Sequence, residues 1–133
     1  MKNNKTYIIG EIGINHCGSI YYAKKLINIA KKAGANAVKF QSYTTEKLIK
    51  KNSPLMTYQI KNIKKKISQF DMLKSCELTK EQHKILFTYC KKKKIEFIST
   101  PYDYENAKFL VKLGVKKIKV ASTDTTNTPF IKQ

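Results

Sequence analysis

Short apolar segments alternate with helical segments along this chain. Ala23, Ile27 and Ala30 recur with the spacing of one helix face, and they predict a helix over 20–33 that Gly34 ends. Between the predicted helices lie short apolar runs followed by polar residues, which is typical of strands in a parallel sheet. These predicted strands span 7–13, 36–43, 95–102 and 116–122.

Local start and stop signals predict the remaining helices. Thr79, with Gln82 three residues later, is the sequence signature of a capping box and marks a helix start. Pro129 is typical of the first position of a helix, and Gly114 is well placed to end one. The predicted helices span 68–78, 80–93 and 103–114, and a last one begins at about 128.

The alternation of strands and helices predicts an α/β fold with a parallel sheet. Two architectures share this order, an open doubly wound sheet and a (β/α)8 barrel. The first strand–helix turn, GEIGINHCG at 10–18, lacks the GxGxxG phosphate loop of dinucleotide-binding sheets. Polar residues collect instead at the carboxyl ends of all four predicted strands, where barrel enzymes build their sites. These residues are Glu11, Lys39, Gln41, Ser99, Thr100, Lys119 and Ser122.

The length of the chain sets how much of a barrel it can form. A full barrel needs about 250 residues, whereas this chain has 133. We therefore predict the first half of a (β/α)8 TIM barrel, with about four βα units and one partial domain over 1–133. Four strands alone would leave a sheet edge open and the inner face uncovered. We accordingly expect a fragment, a truncated product or one half that awaits a partner.

The net charge of +18 changes this interpretation little. All 27 basic residues are lysine, whereas groove and phosphate recognition in nucleic acids relies on the planar arginine fork. The lysines, including a run at 64–66 in a long polar connection over about 44–68, indicate a compositional bias. No apolar run approaches the roughly 18 residues of a membrane helix. Three cysteines without CxxC spacing indicate free thiols, so we expect a cytoplasmic protein. From the lysine-only basic charge and the lack of a long apolar run we expect neither a nucleic-acid nor a membrane partner.

Two lysines inside predicted strands are the strongest chemical signal. Lys39 lies with Gln41 on the polar parity of the second strand, and Lys119 repeats the pattern in the fourth. A cation within a strand is costly unless it meets an anion. With Thr100 and Ser122 as neutral donors, the two lysines predict a pocket for a small phosphorylated carboxylate. The alternative for Lys39 is a solvated lysine on an edge strand.

Glu11 and His16, which follow the first apolar run, each have more than one interpretation. Glu11 forms an ion pair with a strand lysine, or it acts as a general acid or base. His16 is a metal ligand, a base or a loop histidine. His83 is predicted to lie at the surface of a lysine-rich helix, and Cys90 in the core. The sequence has no HxxxH, no CxxC and no cluster of acids, so it encodes no complete metal site.

Four motifs occur in a fixed order along nearly the whole chain. They are EIGINHCG at 11–18, AKKAGANAVKFQ at 30–41, FISTPYD at 97–103 and KVAST at 119–123. Together they resemble the N-acetylneuraminate (sialic acid) synthase family. The resemblance implies a (β/α)8 barrel followed by a small antifreeze-like domain. It also implies condensation of phosphoenolpyruvate with N-acetylmannosamine or a related 2-acetamido sugar, giving a nonulosonic acid and releasing phosphate by C–O cleavage.

The resemblance also implies roles for individual residues. Glu11 matches an acidic residue proposed for catalysis close to the sugar. Asp124 stands where many relatives carry glutamate, at a position that meets the sugar, and Gln41 lies beside the pocket. The residues that match positions holding phosphoenolpyruvate are Lys39, Thr100, Lys119 and Ser122.

Further components of the family's active site are expected outside this chain. A divalent cation, Mn²⁺ or Mg²⁺, helps to activate the aldehyde, and full-length members are expected to form homodimers. The metal-binding histidines and the antifreeze-like domain lie beyond Gln133, so we expect this chain alone to be inactive. The alternatives are a legionaminate or pseudaminate synthase, which changes only the sugar, and a non-catalytic remnant.

Overall fold

Three parallel strands form the sheet in the computed structural model, which describes residues 6–54 and 67–133. The strands are β1 (Ile9–Gly13), β2 (Ala37–Ser42) and β3 (Glu96–Pro101). They lie side by side in chain order, and both neighbouring pairs are parallel. The predicted α/β fold with a parallel sheet is therefore confirmed. The lysine run at 64–66 lies outside the described residues.

Helices connect the strands and cover one face of the sheet. They are α1 (Ile20–Lys32), α2 (Thr45–Leu48), α3 (Gln69–Cys76), α4 (Lys80–Lys93), α5 (Tyr104–Leu113) and α6 (Thr128–Lys132), with a 3-10 turn at Ser122–Asp124. Each predicted helix is present near its expected bounds, and α2 is an addition. None of the helices in the described ranges has the length and apolar character needed to cross a bilayer.

Local hydrogen bonds explain where the helices begin and end. The Thr79 amide donates to Gln82 Oε1 at 2.8 Å, and the Gln82 amide donates to Thr79 Oγ1 at 3.2 Å, so the predicted capping box is confirmed. A second capping box, between Ser68 and Asp71, begins α3. Gly114 ends α5 with a φ of 86°, a left-handed conformation that glycine adopts without strain.

The hydrophobic core lies between the sheet and the helices. Val38 and Phe40 of β2 are fully buried there, and the Phe40 ring stacks on Phe97 of β3 with centroids 5.1 Å apart. Leu86 and Cys90 of α4 close the core from the helix side, which confirms the core prediction for Cys90. Each large side chain buried here contributes about 1.5–3 kcal/mol. This packing decides which face of each strand turns toward the helices.

The predicted fourth strand, 116–122, is the main correction to the fold. The segment forms one parallel bridge, between Ser99 and Ile118, and the Lys119 amide donates to the Ser99 carbonyl at 3.1 Å. Ile118 and Val120 remain 37% and 40% exposed. One bridge does not make a regular strand, so the prediction of a regular strand over this segment is wrong. The segment still runs beside β3, which places Lys119 at the carboxyl end of the sheet.

A polar cluster lies at the opposite, amino end of the sheet. The Tyr7 hydroxyl donates to the Glu96 carboxylate. Lys117 Nζ lies 2.8 Å from the same carboxylate and 3.3 Å from the Tyr7 hydroxyl. The hydrogen bonds from Lys117 and Tyr7 lower the pKa of Glu96. These three side chains therefore form hydrogen bonds with one another. They connect β3 with the residues just before β1 and with the segment 116–122.

Candidate active site at the carboxyl ends of the strands

An open cleft of about 460 Å³ lies at the carboxyl ends of the strands. Its walls come from the three strands, the turn after β1 and the segment that leads into the 3-10 turn. Six of the predicted residues line it, namely Glu11, Lys39, Gln41, Thr100, Lys119 and Ser122. Ser99, which the sequence also places at a strand end, is fully buried and does not line the cleft. The structure thus brings together side chains that are far apart in sequence, and their roles in binding and catalysis stay predictions.

The strand register explains why these side chains meet. Glu11 of β1 pairs with Lys39 of β2, and Gln41 of β2 pairs with Thr100 of β3. Paired residues in neighbouring strands place their side chains on the same face of the sheet. Because Phe40 points into the core, its neighbours Lys39 and Gln41 point the other way, into the cleft.

Glu11 and Lys39 form an ion pair within the cleft. Lys39 Nζ lies 2.5 Å from Glu11 Oε2, and the two side chains are 15% and 51% exposed, respectively. The ion-pair interpretation of Glu11 is therefore the one that the structure shows. The edge-strand alternative for Lys39 is wrong, because β2 is the central strand of the sheet. A half-buried lysine needs an anion, so a ligand anion that enters the cleft meets a cation already paired with Glu11.

Thr100 contributes a hydroxyl that has no hydrogen-bond partner within residues 6–54 and 67–133. The residue is 2% exposed, and no group among the described residues forms a hydrogen bond with its Oγ1. A buried polar group without a partner costs about 1–3 kcal/mol. Thr100 lines the cleft, and its role as a hydrogen-bond donor to a ligand stays a prediction.

Three polar residues that the sequence analysis missed also line the cleft, namely Asn15, Tyr102 and Thr123. Burial raises the pKa of Tyr102, and the carboxylates of Glu11 and Asp124 raise it further. The phenol is therefore neutral and can donate a hydrogen bond. The position of Tyr102 directly after β3 was the signal that could have identified it.

Asp124, whose role the family resemblance implies, does not line the cleft. It lies at the end of the 3-10 turn, and its Oδ1 accepts a hydrogen bond from Asn127 Nδ2 at 3.4 Å. Its carboxylate is close enough to raise the pKa of Tyr102. The structure therefore places Asp124 next to the cleft rather than in it, and a contact with a sugar stays a prediction.

Both histidines are buried, and neither lines the cleft. The prediction that His83 lies at the surface is wrong, because the first turn of α4 aims its ring at the end of β2. His83 Nε2 lies 2.8 Å from the Ser42 hydroxyl, and Nδ1 lies 3.0 Å from the Thr79 carbonyl. His16 is a loop histidine in this structure, and its Nδ1 accepts a hydrogen bond from the Gly18 amide at 3.0 Å.

The glycines of the turn after β1 allow it to pack closely. Gly18 has a φ of 72°, and a Cβ there would lie 2.3 Å from the carbonyl oxygen of Ser75, at the end of α3. Gly13 has a φ of 53° and lies where the β1–β2 register shifts, directly after the pairing of Glu11 with Lys39. The turn can therefore pass beside the cleft and still contact α3 only because side chains are absent at these positions.

The described residues do not by themselves fit a metal ion. Within 6–54 and 67–133, no three histidine, cysteine, aspartate or glutamate side chains are grouped as ligands of one ion. Glu11 is the one carboxylate among the described residues of the cleft wall, and it is paired with Lys39. The divalent cation stays a prediction.

Comparison with known proteins connects this cleft to a family. Residues 26–133 match the NeuB family. The chain belongs to the NeuB family. It is 42% identical over 129 residues to the N,N'-diacetyllegionaminic acid synthase of Campylobacter jejuni. It is 40% identical over 125 residues to the N,N'-diacetyllegionaminic acid synthase of Legionella pneumophila.

These NeuB-family relatives are longer than the chain. The alignments cover 97% and 94% of this chain but only 39% and 35% of the Campylobacter and Legionella proteins. The crystal structure of the N-acetylneuraminic acid (sialic acid) synthetase from Leptospira borgpetersenii in complex with citrate superposes with a TM-score of 0.80 at 34% identity. That superposition covers 96% of this chain and 40% of the Leptospira chain. The predicted family resemblance is confirmed, and the sheet matches the start of a TIM-barrel synthase.

Proposed function

We propose that this NeuB-family chain contributes the phosphoenolpyruvate-binding part of a nonulosonic acid (sialic acid) synthase. The complete enzyme would condense phosphoenolpyruvate with N-acetylmannosamine or a related 2-acetamido sugar and release phosphate. The observation that carries the proposal is the meeting of Lys39, Lys119 and the unpartnered Thr100 hydroxyl in one cleft. Ammonium groups and hydroxyl donors form strong, charge-assisted hydrogen bonds with phosphate and carboxylate oxygens.

Two cations suit a ligand that carries two anionic groups. Lys39 approaches from the central strand and Lys119 from the segment beside β3, so a small ligand between them contacts both. As the C–O bond to phosphate breaks, negative charge moves onto the departing group. Ammonium groups that are already in place stabilise that charge without reorganisation, which is the largest catalytic contribution in many enzymes.

Glu11 is the residue that we propose for proton transfer near the sugar. Its carboxylate pairs with Lys39, and a bound phosphate or carboxylate competes for that lysine. Once the pairing is weakened, the carboxylate can act as a general acid or base at the aldehyde oxygen. In the overall reaction, a C–C bond forms between phosphoenolpyruvate and the aldehyde carbon, water adds, and the C–O bond to phosphate breaks.

The acceptor of a legionaminic acid synthase is a second candidate for the sugar. The identities of 42% and 40% to two such synthases exceed the 34% identity to the Leptospira sialic acid synthetase. This difference supports the legionaminate alternative for the sugar and leaves the phosphoenolpyruvate part of the proposal unchanged. We propose that Asp124, next to the cleft, meets whichever sugar binds.

The remaining features of the family are proposed for the complete enzyme. They are a divalent cation, Mn²⁺ or Mg²⁺, with ligands outside this chain, a homodimer, and a cytoplasmic location. The three cysteines, Cys17, Cys76 and Cys90, are free thiols, which supports a reducing compartment. We propose no nucleic-acid and no membrane partner.

Isothermal titration of phosphoenolpyruvate into the chain tests the proposal. We expect saturable binding at one site, and weaker binding of pyruvate and of inorganic phosphate, because each offers only one of the two anionic groups. No saturable heat with phosphoenolpyruvate would contradict the proposal and favour the non-catalytic remnant. Tighter binding to an oligonucleotide, with affinity that falls steeply with salt, would indicate instead that the lysines bind nucleic acid.

Phosphate release in the presence of Mn²⁺ tests the expected inactivity of the chain alone. The chain alone is expected to release no phosphate with either N-acetylmannosamine or the acceptor of a legionaminic acid synthase. Robust release with one of these sugars would identify the acceptor and refute the expected inactivity.

A further inference from the structure

A buried hydrogen-bond network lies behind the cleft, on the helix side of the sheet. His83 Nδ1 lies 3.0 Å from the Thr79 carbonyl oxygen, and His83 Nε2 lies 2.8 Å from the Ser42 hydroxyl. The Ser42 hydroxyl in turn lies 2.7 Å from the Ser99 hydroxyl. His83 is 2% exposed, and Ser42 and Ser99 are fully buried. The reaction proposed above uses none of these groups.

The carbonyl at one end sets the direction of the network. A carbonyl oxygen only accepts, so His83 Nδ1 carries the ring proton and Nε2 is the acceptor. The Ser42 hydroxyl therefore donates to His83, and its oxygen accepts from the Ser99 hydroxyl. Desolvation lowers the pKa of His83, which keeps the ring in the neutral form that this arrangement needs.

The network joins the three segments that carry the ligand-facing side chains. Ser42 directly follows Gln41 in β2, and Ser99 directly precedes Thr100 in β3. The Ser99 backbone carbonyl also accepts a hydrogen bond from the Lys119 amide at 3.1 Å. Because successive residues of a strand face opposite sides, hydrogen bonds on the helix side fix the backbone that presents side chains to the cleft.

We propose that His83 is a positioning residue for the cleft. Through Ser42 and Ser99 it holds the ends of β2 and β3 in one register, and so it sets where Gln41 and Thr100 meet the ligand. The inference rests on the proposed function, because that placement affects binding only if phosphoenolpyruvate occupies the cleft. His83 does not line the cleft and is therefore not a catalytic residue.

Three variants separate positioning from general destabilisation. His83→Leu fills the space but removes the acceptor, so the affinity for phosphoenolpyruvate should fall about tenfold. His83→Gln keeps an acceptor near the Nε2 position and should recover most of that loss. Cys90→Ala, on the same helix, leaves a small cavity in the core and should lower thermal stability while changing the affinity less than about twofold. Affinity is measured by isothermal titration and stability by thermal unfolding. If His83→Leu does not fold, Ser42→Ala replaces it, with the same expected loss.

Amide NMR spectra keep this test independent of the proposed function. If phosphoenolpyruvate binds the unmodified chain and His83→Leu weakens it no more than Cys90→Ala does, the positioning role is overturned. If phosphoenolpyruvate does not bind at all, the proposed function fails while the positioning role is still decided by the amide shifts. Shifts at Gln41, Thr100 and Lys119 that change in His83→Leu, and not in Cys90→Ala, support the role. Unchanged shifts at those amides overturn it.

Discussion

The two ends of the sheet hold the same kind of ion pair in different settings. At the amino end, Glu96 and Lys117 lie 2.8 Å apart, and a tyrosine hydroxyl completes their hydrogen bonding. At the carboxyl end, Glu11 and Lys39 lie 2.5 Å apart in a cleft that also contains the unpartnered hydroxyl of Thr100. The first cluster is satisfied by its own members, whereas the second is not.

This difference separates a structural role from a binding role. Exposed ion pairs contribute little to stability, and the members of the amino-end cluster already form hydrogen bonds with one another. The cleft at the carboxyl end has a second lysine, Lys119, and a buried hydroxyl, that of Thr100, without a hydrogen-bond partner among the described residues. An ion pair of glutamate and lysine therefore predicts a binding site only when the groups around it are considered as well.

Replacing one lysine at each end of the sheet is expected to show the largest difference between the two ion pairs. We expect Lys39→Ala to weaken phosphoenolpyruvate binding about a hundredfold, because loss of one partner in a desolvated charge pair costs about 2–5 kcal/mol. Lys117→Ala, the matched control at the amino end, should change the affinity less than about twofold. Titration calorimetry measures both. Equal losses in the two variants would mean that bulk positive charge, and not the cleft, attracts the ligand.

Thr100→Val tests the unpartnered hydroxyl. The affinity for phosphoenolpyruvate should fall about tenfold with the loss of one hydrogen bond to a charged group. The melting temperature should stay the same or rise, because valine removes a buried polar atom that has no protein partner. Thr88→Val, at an exposed position of α4, is the control for the substitution itself. A lower melting temperature with unchanged affinity would show that Thr100 serves the fold instead.

Glu11→Gln tests whether the carboxylate competes with the ligand for Lys39. Removing its charge frees Lys39, so phosphoenolpyruvate should bind a few-fold more tightly. Glu96→Gln makes the same change at the amino end and should leave the affinity unaltered. Weaker binding to Glu11→Gln than to the unmodified chain would contradict competition and indicate that Glu11 supports the lysine in its binding position.

The pH dependence of the free energy of unfolding tests whether the two histidines are buried in their neutral form. Desolvation lowers the pKa values of His16 and His83 below the ordinary 6.5, and each histidine's pKa is lowered in the folded state only. Below about pH 6.5 the unfolded chain therefore binds more protons than the folded one, so stability falls as the pH decreases. Urea unfolding at several pH values should show a free energy of unfolding that decreases steadily from pH 7 to pH 5. Stability that is constant from pH 7 to 5 would refute the burial of two neutral histidines.

Features that depend on local sequence were predicted from the sequence. The capping box of Thr79 and Gln82 is one, because both of its hydrogen bonds lie within four residues. The inward parity of Lys39 and Gln41 is another, because the period of a strand is fixed by its geometry. Most of the cleft wall follows from that parity and from the rule that barrel sites lie at the carboxyl ends of strands.

Features that depend on contacts between residues far apart in sequence were not predicted. A regular fourth strand needs continued pairing with β3, and no local pattern around Ile118 reports that the pairing is limited to one bridge. The burial of His83 depends on Ser42, which is 41 positions away in sequence. Asp124 was assigned by resemblance, and the 3-10 turn that moves it out of the cleft wall has no distinct sequence signal.

A crystal structure with phosphoenolpyruvate bound tests the central claim most directly. We predict density for the ligand in the carboxyl-end cleft, with ammonium groups of both Lys39 and Lys119 and the hydroxyl of Thr100 within hydrogen-bond distance of its anionic oxygens. Density at another surface, or an empty cleft in crystals soaked at saturating ligand, would contradict the proposal that phosphoenolpyruvate binds between these two lysines.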